Sequence, residues 1–119
     1  MPRDLIIKWA QGEFELVVST YLLYELQAAL SRPNFRKYLT FPVLFQYVMW
    51  IADNASVGPD STGSPRYTGD PGDDYLVTLA LDTEADLIVA VDRDLLDHRG
   101  TIPVPVDDPR SFLDTLAGY

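Results

Sequence analysis

Asp70–Leu96, reading DPGDDYLVTLALDTEADLIVAVDRDLL, decides how the chain is read. Asp70 is placed to N-cap a helix with Pro71 at its first position. Asp73 then falls in the first turn, where the helix dipole favours a carboxylate. Leu76, Leu79 and Ala80 form an apolar stripe, widened by Val77 and Leu81. Leu87–Val91 is an unbroken apolar run, the pattern of a strand covered on both faces. Asp92 and Asp94 follow at its carboxyl end, the edge of a parallel sheet where ligands usually bind. Acids at a helix start and after a buried strand can converge on one metal-binding pocket.

Towards the N-terminus, Pro2–Gln11 reads as the end of a helix with Leu5, Ile6 and Trp9 on one face, stopped at Gly12. Phe14–Val18 is a strand candidate. Ser19 is placed to cap a helix over Tyr21–Leu30, with Glu25 at the edge of its apolar face. Arg32-Pro33 breaks it, Asn34–Leu39 reads as a short helical turn, and Pro42–Ala52 as a longer helix. The aromatics Phe41, Phe45, Tyr47 and Trp50 are expected in the core or at a helix–helix contact. Ala55–Val57 is a short strand candidate, and Gly58–Gly69 a loop. Beyond Asp94, Leu95-Leu96 opens a short helix. Thr101–Val106 is a weak edge strand limited by Pro103 and Pro105, and Asp108-Pro109 starts a last helix. Strands alternating with helices predict an α/β fold with a short parallel sheet.

The chain has 119 residues, which suggests a single domain over 1–119. Its net charge of −9 opposes the basic footprint of most nucleic-acid binders, unless bound cations invert the local charge. A basic partner is the other use for such a surface. Without cysteine there is no thiolate site, and His98 alone cannot build a histidine-rich zinc site. His98 is expected to face solvent. Arg66, Arg93 and Arg99 are candidates for phosphate contact. No signal-peptide pattern or bilayer-length apolar run is visible, so a cytoplasmic location is expected.

Two segments, GEFELVVSTYLLYELQAALSRPNFRKYL and DPGDDYLVTLALDTEADLIVAVDRDLL, with the closing DDPRSFLDTL, resemble the toxin-like branch of the PIN-domain family. The resemblance implies a PIN-like three-layer sandwich with a short parallel sheet. It also implies a Mg²⁺- or Mn²⁺-dependent endoribonuclease acting on RNA, often the toxin of a toxin–antitoxin pair. Matched residue by residue, it implies Glu25, Asp73, Asp92 and Asp94 as catalytic metal ligands, and leaves open whether Asp70 or Asp74 joins them. Mg²⁺ takes oxygen ligands and keeps several waters, which suits carboxylates.

Two departures are visible. The family opens with a central strand ending in its first acid, in a pattern like Asp-Thr-Asn; here Met1–Leu5 resembles the middle of the following helix. The first strand and first acid are therefore expected to be missing, with the true start upstream. Backbone groups left unpaired would need rearrangement, strand exchange or dimerisation, and a homodimer is expected. Where the family often has Thr-Gly-Asp, this chain has Ala90-Val91-Asp92, without the hydroxyl. The alternative reading is a non-catalytic module binding a basic antitoxin or another protein partner.

Overall fold

In the computed structural model, which describes residues 3–33, 40–60, 63, 65–91 and 93–118, short parallel strands alternate with helices in an α/β fold. Two units, Leu16–Asp60 and Met1–Glu15 with Ser61–Tyr119, each gather their own contacts.

In the first unit, strand β1 (Val17–Ser19) pairs in parallel with β2 (Ser56–Gly58), with Val18 opposite Val57. A parallel pair needs a long crossover, and helices α2 (Thr20–Leu30) and α3 (Phe41–Asn54) supply it. Ser19 ends β1 and caps α2: it is fully buried, and its Oγ accepts from the Leu22 amide at 3.2 Å. Beside it, the Tyr21 amide donates to the Asp60 carboxylate. Thr40 caps α3, which buries Leu44, Val48 and Ile51 along the i, i+4, i+7 line. The expected helical turn at 34–39 lies outside the described residues.

The α3 aromatics depart from expectation. Tyr47 is half-buried beside Trp50, but Phe41, Phe45 and Trp50 are exposed, as is Met49. Successive helix positions turn by about 100°, so a helix whose inward line is aliphatic carries Phe41, Phe45 and Met49 on another side.

In the second unit, α1 (Arg3–Ala10) buries Leu5 and Trp9 and turns out at Gly12, whose φ of +77° suits glycine. Phe14, read as the start of a strand, instead meets Phe112 edge-on at 5.1 Å, and the strand begins only at Val17. Helix α4 (Pro71–Asp82) follows the Asp70 cap as expected. After it, β3 (Ile88–Val89) pairs in parallel with β4 (Val106–Asp107), Ile88 opposite Val106. Between them lies α5 (Arg93–Asp97), and α6 (Pro109–Leu116) closes the chain. Val77, Ala80, Leu95, Ile102, Val104 and Val106 form the core here.

The apolar run at Leu87–Val91 is not covered on both faces: Val89 is exposed and Val91 is 76 % exposed. Among the described residues β3 has one neighbouring strand, and that strand follows Pro103 and Pro105, which have no amide to extend a ladder. Ile102 and Val104 fill the core from irregular backbone instead. Among the described residues no helix is long and apolar enough to cross a membrane.

Candidate functional site

The N-cap and first turn of α4 carry three aspartates with three different tasks. Asp70 caps the helix: its Oδ1 accepts from the Gly72 amide at 2.8 Å, and its carbonyl accepts from the amides of Asp73 and Asp74. Gly72 makes that cap close, because a Cβ there would stand 3.2 Å from Asp70 Oδ1.

Asp73, expected as a first-turn acid and metal ligand, is 6 % exposed. Three residues from Asp70, it lies on the same side of the helix. Asp94, in the first turn of α5, completes a cluster in which one carboxylate oxygen from each of Asp70, Asp73 and Asp94 lies within 4.8 Å of the others. Asp70 and Asp94 are exposed, so the cluster opens to water on one side.

Asp74 points elsewhere. It is 5 % exposed, where the sequence suggests a surface acid. Its Oδ1 accepts from the amides of Tyr67 at 2.9 Å and Thr68 at 2.7 Å. The Thr68 hydroxyl lies 3.0 Å from the same oxygen and 3.1 Å from the Asp70 carbonyl. Burial works against the charged form of Asp74, but these donors and the Arg66 charge outweigh it and hold the carboxyl below its ordinary 3.8. Asp74 therefore ties the preceding loop to the helix start.

Of the residues implied by resemblance, Asp73 and Asp94 come together. Asp92 lies outside the described residues. Glu25 belongs to the Leu16–Asp60 unit, where it is exposed and accepts the Tyr21 hydroxyl one helical turn away, holding that phenol above its ordinary 10.0. His98 is exposed as expected, with Nδ1 2.7 Å from the Asp94 carbonyl. Arg66, Arg93 and Arg99 are exposed. Asp70 is the cluster member that capping alone does not announce, and its signal is the i, i+3 spacing to Asp73. The role of Thr68 has no sequence signal, because its partner depends on the loop folding back.

The donor set fits a hard divalent cation. Three carboxylates offer only oxygen, and separations up to 4.8 Å slightly exceed the roughly 4.2 Å that opposite ligands span around Mg²⁺. A cation bound directly to one or two of the carboxylates would reach the rest through its waters. At an effective dielectric near 20, like charges about 4 Å apart repel by about 4 kcal/mol. The α4 dipole offsets only about half a charge, so a cation is the natural relief.

No curated protein and no solved structure matches the chain at a significant level. A family model described as PIN domain matches residues 1–94, a span that runs from α1 to Asp94 and contains every member of the acid cluster. On that match, and with its α/β fold of short parallel strand pairs, the chain belongs to the PIN domain family.

Proposed function

We propose that this protein is a divalent-metal-dependent endoribonuclease, with Mg²⁺ or Mn²⁺ held by Asp73 and Asp94 together with Asp70. Family membership points to a nuclease-type function. The observation that carries the finer reading is the meeting of three carboxylates at the start of α4, inside the matched span. Asp92 and Glu25 join the proposed ligand set through the resemblance alone.

The chain's own groups divide the work. Asp73 is fixed by its buried place in the first turn of α4. Asp70 and Asp94 present exposed oxygens that can accept hydrogen bonds from a water and orient it. Unaided, the cluster would repel a phosphodiester. A cation bound there would offset the charge that builds on the phosphate and make water a better nucleophile. The net charge of −9 makes such a cation a condition of substrate approach.

The test is cleavage of single-stranded RNA by purified protein with Mg²⁺ or Mn²⁺, expected to stop with EDTA and with Asp73→Asn. Cleavage that survives both, or no cleavage with either metal, overturns the reading.

A second reading is a binding module, in the toxin–antitoxin setting one that holds a basic antitoxin segment. What supports it is the acidic surface and the missing hydroxyl at Ala90-Val91. Calorimetry separates the two: metal binding without a partner favours the nuclease. Silence towards metal, with tight binding of a basic peptide, favours the module.

A further inference from the structure

The other side of the α4 start holds a cleft of about 510 Å³, lined among others by Arg66, Thr68, Gly69, Pro71, Asp74 and Tyr75. That volume lies within the range of small-molecule sites, roughly 300–1,000 Å³. Pro71 and Asp74 are chain neighbours of Asp70 and Asp73, so the cleft and the acid cluster share one helical turn. Its wall combines a cation, an aromatic ring and a carboxylate.

The carboxylate is the informative member. Asp74 Oδ1 is already taken by two amides and a hydroxyl. These fix the plane of the group and leave Oδ2 as the acceptor offered to the cleft. A phosphate is repelled by such an oxygen, whereas an N–H group is drawn to it. Among RNA bases, guanine alone presents two adjacent N–H donors on its Watson–Crick edge, N1–H and the N2 amino group, which can both converge on a single oxygen such as Oδ2. Adenine and cytosine set one amino group beside a ring-nitrogen acceptor, and uracil flanks its single N–H with two carbonyl oxygens that the carboxylate repels. Single-stranded RNA is read through such edges while the base stacks on an aromatic side chain.

We propose that this cleft is a guanine pocket for single-stranded RNA, with Asp74 receiving the base edge, Tyr75 lying against the ring and Arg66 meeting a flanking phosphate. The pocket rests on the nuclease reading for its purpose but not for its binding chemistry. It would set which nucleotide lies beside the acid cluster.

The test titrates the full chain in EDTA with 5′-GMP, AMP, CMP and UMP, followed by amide NMR shifts. GMP is expected to bind at least about tenfold more tightly than the others, in line with about 1–3 kcal/mol for a good paired base contact. Asp74→Asn keeps a carbonyl oxygen for the Tyr67 and Thr68 amides but turns a donor towards the cleft, so the GMP preference should vanish. Arg66→Ala should weaken all four nucleotides alike, and it leaves the Asp74 tie intact if the Asp74→Asn chain fails to fold. Equal binding of the four nucleotides, no binding, or a GMP preference that survives Asp74→Asn overturns the pocket. Cleavage mapped on a mixed-sequence RNA with Mg²⁺ separates the two readings. Cuts without regard to guanine, together with no GMP preference, remove the pocket and leave the nuclease. A GMP preference without cleavage removes the nuclease and leaves the pocket.

Discussion

Asp73 and Asp74 are adjacent, similarly buried and chemically identical, yet α4 aims one at two other acids and the other at backbone amides. Removing each should therefore do opposite things. Asp73→Asn takes a charge out of a like-charged cluster and should leave the melting temperature in EDTA equal or higher. It should also lower metal-dependent RNA cleavage about a hundredfold or more, the scale of losing one preorganised electrostatic group. Asp74→Ala strands the Tyr67 and Thr68 amides and should destabilise by about 2–3 kcal/mol in a denaturant titration, since each hydrogen bond to a charged group is worth roughly 1.5–3 kcal/mol. Equal thermal effects of the two changes would contradict this division of labour. In the sequence, Asp70 as a cap and Asp73 as a first-turn acid were both legible, because each follows from local helix chemistry. The burial of Asp74 was not, because it depends on Tyr67 and Thr68 returning across the helix start.

Helix starts are the elements the sequence announces best. Ser19, Thr40, Asp70 and Asp108 each cap a helix in the structure, and three of those four helices carry Pro in the first turn. Asp108 accepts from the Ser111 amide and hydroxyl, with Arg99 adding its charge, and its carboxyl lies below the ordinary 3.8. A depressed folded-state value means stability that is present above 3.8 and lost as pH falls through the folded value. Asp108→Asn keeps a capping side chain but does not titrate, so its melting temperature should fall less than the wild type's between about pH 5 and about pH 3. Equal acid sensitivity would speak against the cap as a titrating element. The exit from α4 is less ideal: Glu84 sits at φ 54°, a left-handed conformation that disfavours side chains. Glu84→Gly should stabilise by about 0.5–1 kcal/mol, read from the denaturation midpoint. Strand lengths were poorly legible, since β3 extends only as far as β4 has amides to offer, and that limit is set some fifteen or more residues away. The outward aromatics of α3 were missed for a related reason. Composition marks them as core, but the i, i+4, i+7 line of Leu44, Val48 and Ile51 faces inward.

At the scale of the molecule, alternation of helix and strand made the α/β class legible, and the ordered acids made the family legible. Charge is unevenly shared. Leu16–Asp60 balances Glu25, Asp53 and Asp60 against Arg32, Arg36 and Lys37, so the net −9 resides in the other unit, with the acid cluster. This inverts the usual salt response of a nucleic-acid binder, whose affinity falls steeply as salt rises. In EDTA, RNA affinity should be flat or should rise with KCl, as screening relieves repulsion, and replacing EDTA by free Mg²⁺ should raise it further. A steep fall with KCl in a filter-binding titration would show that a basic surface dominates instead. The placing of the core has a temporal side. On the ribosome the Leu16–Asp60 unit is complete before α4 is made, whereas Asp94 leaves the exit tunnel ahead of Ile102, Val104 and Val106, on which α4 and α5 rest. A nascent chain halted soon after Asp94 holds every acid of the cluster but not the floor beneath it, so the site's chemistry is withheld until translation has passed β4.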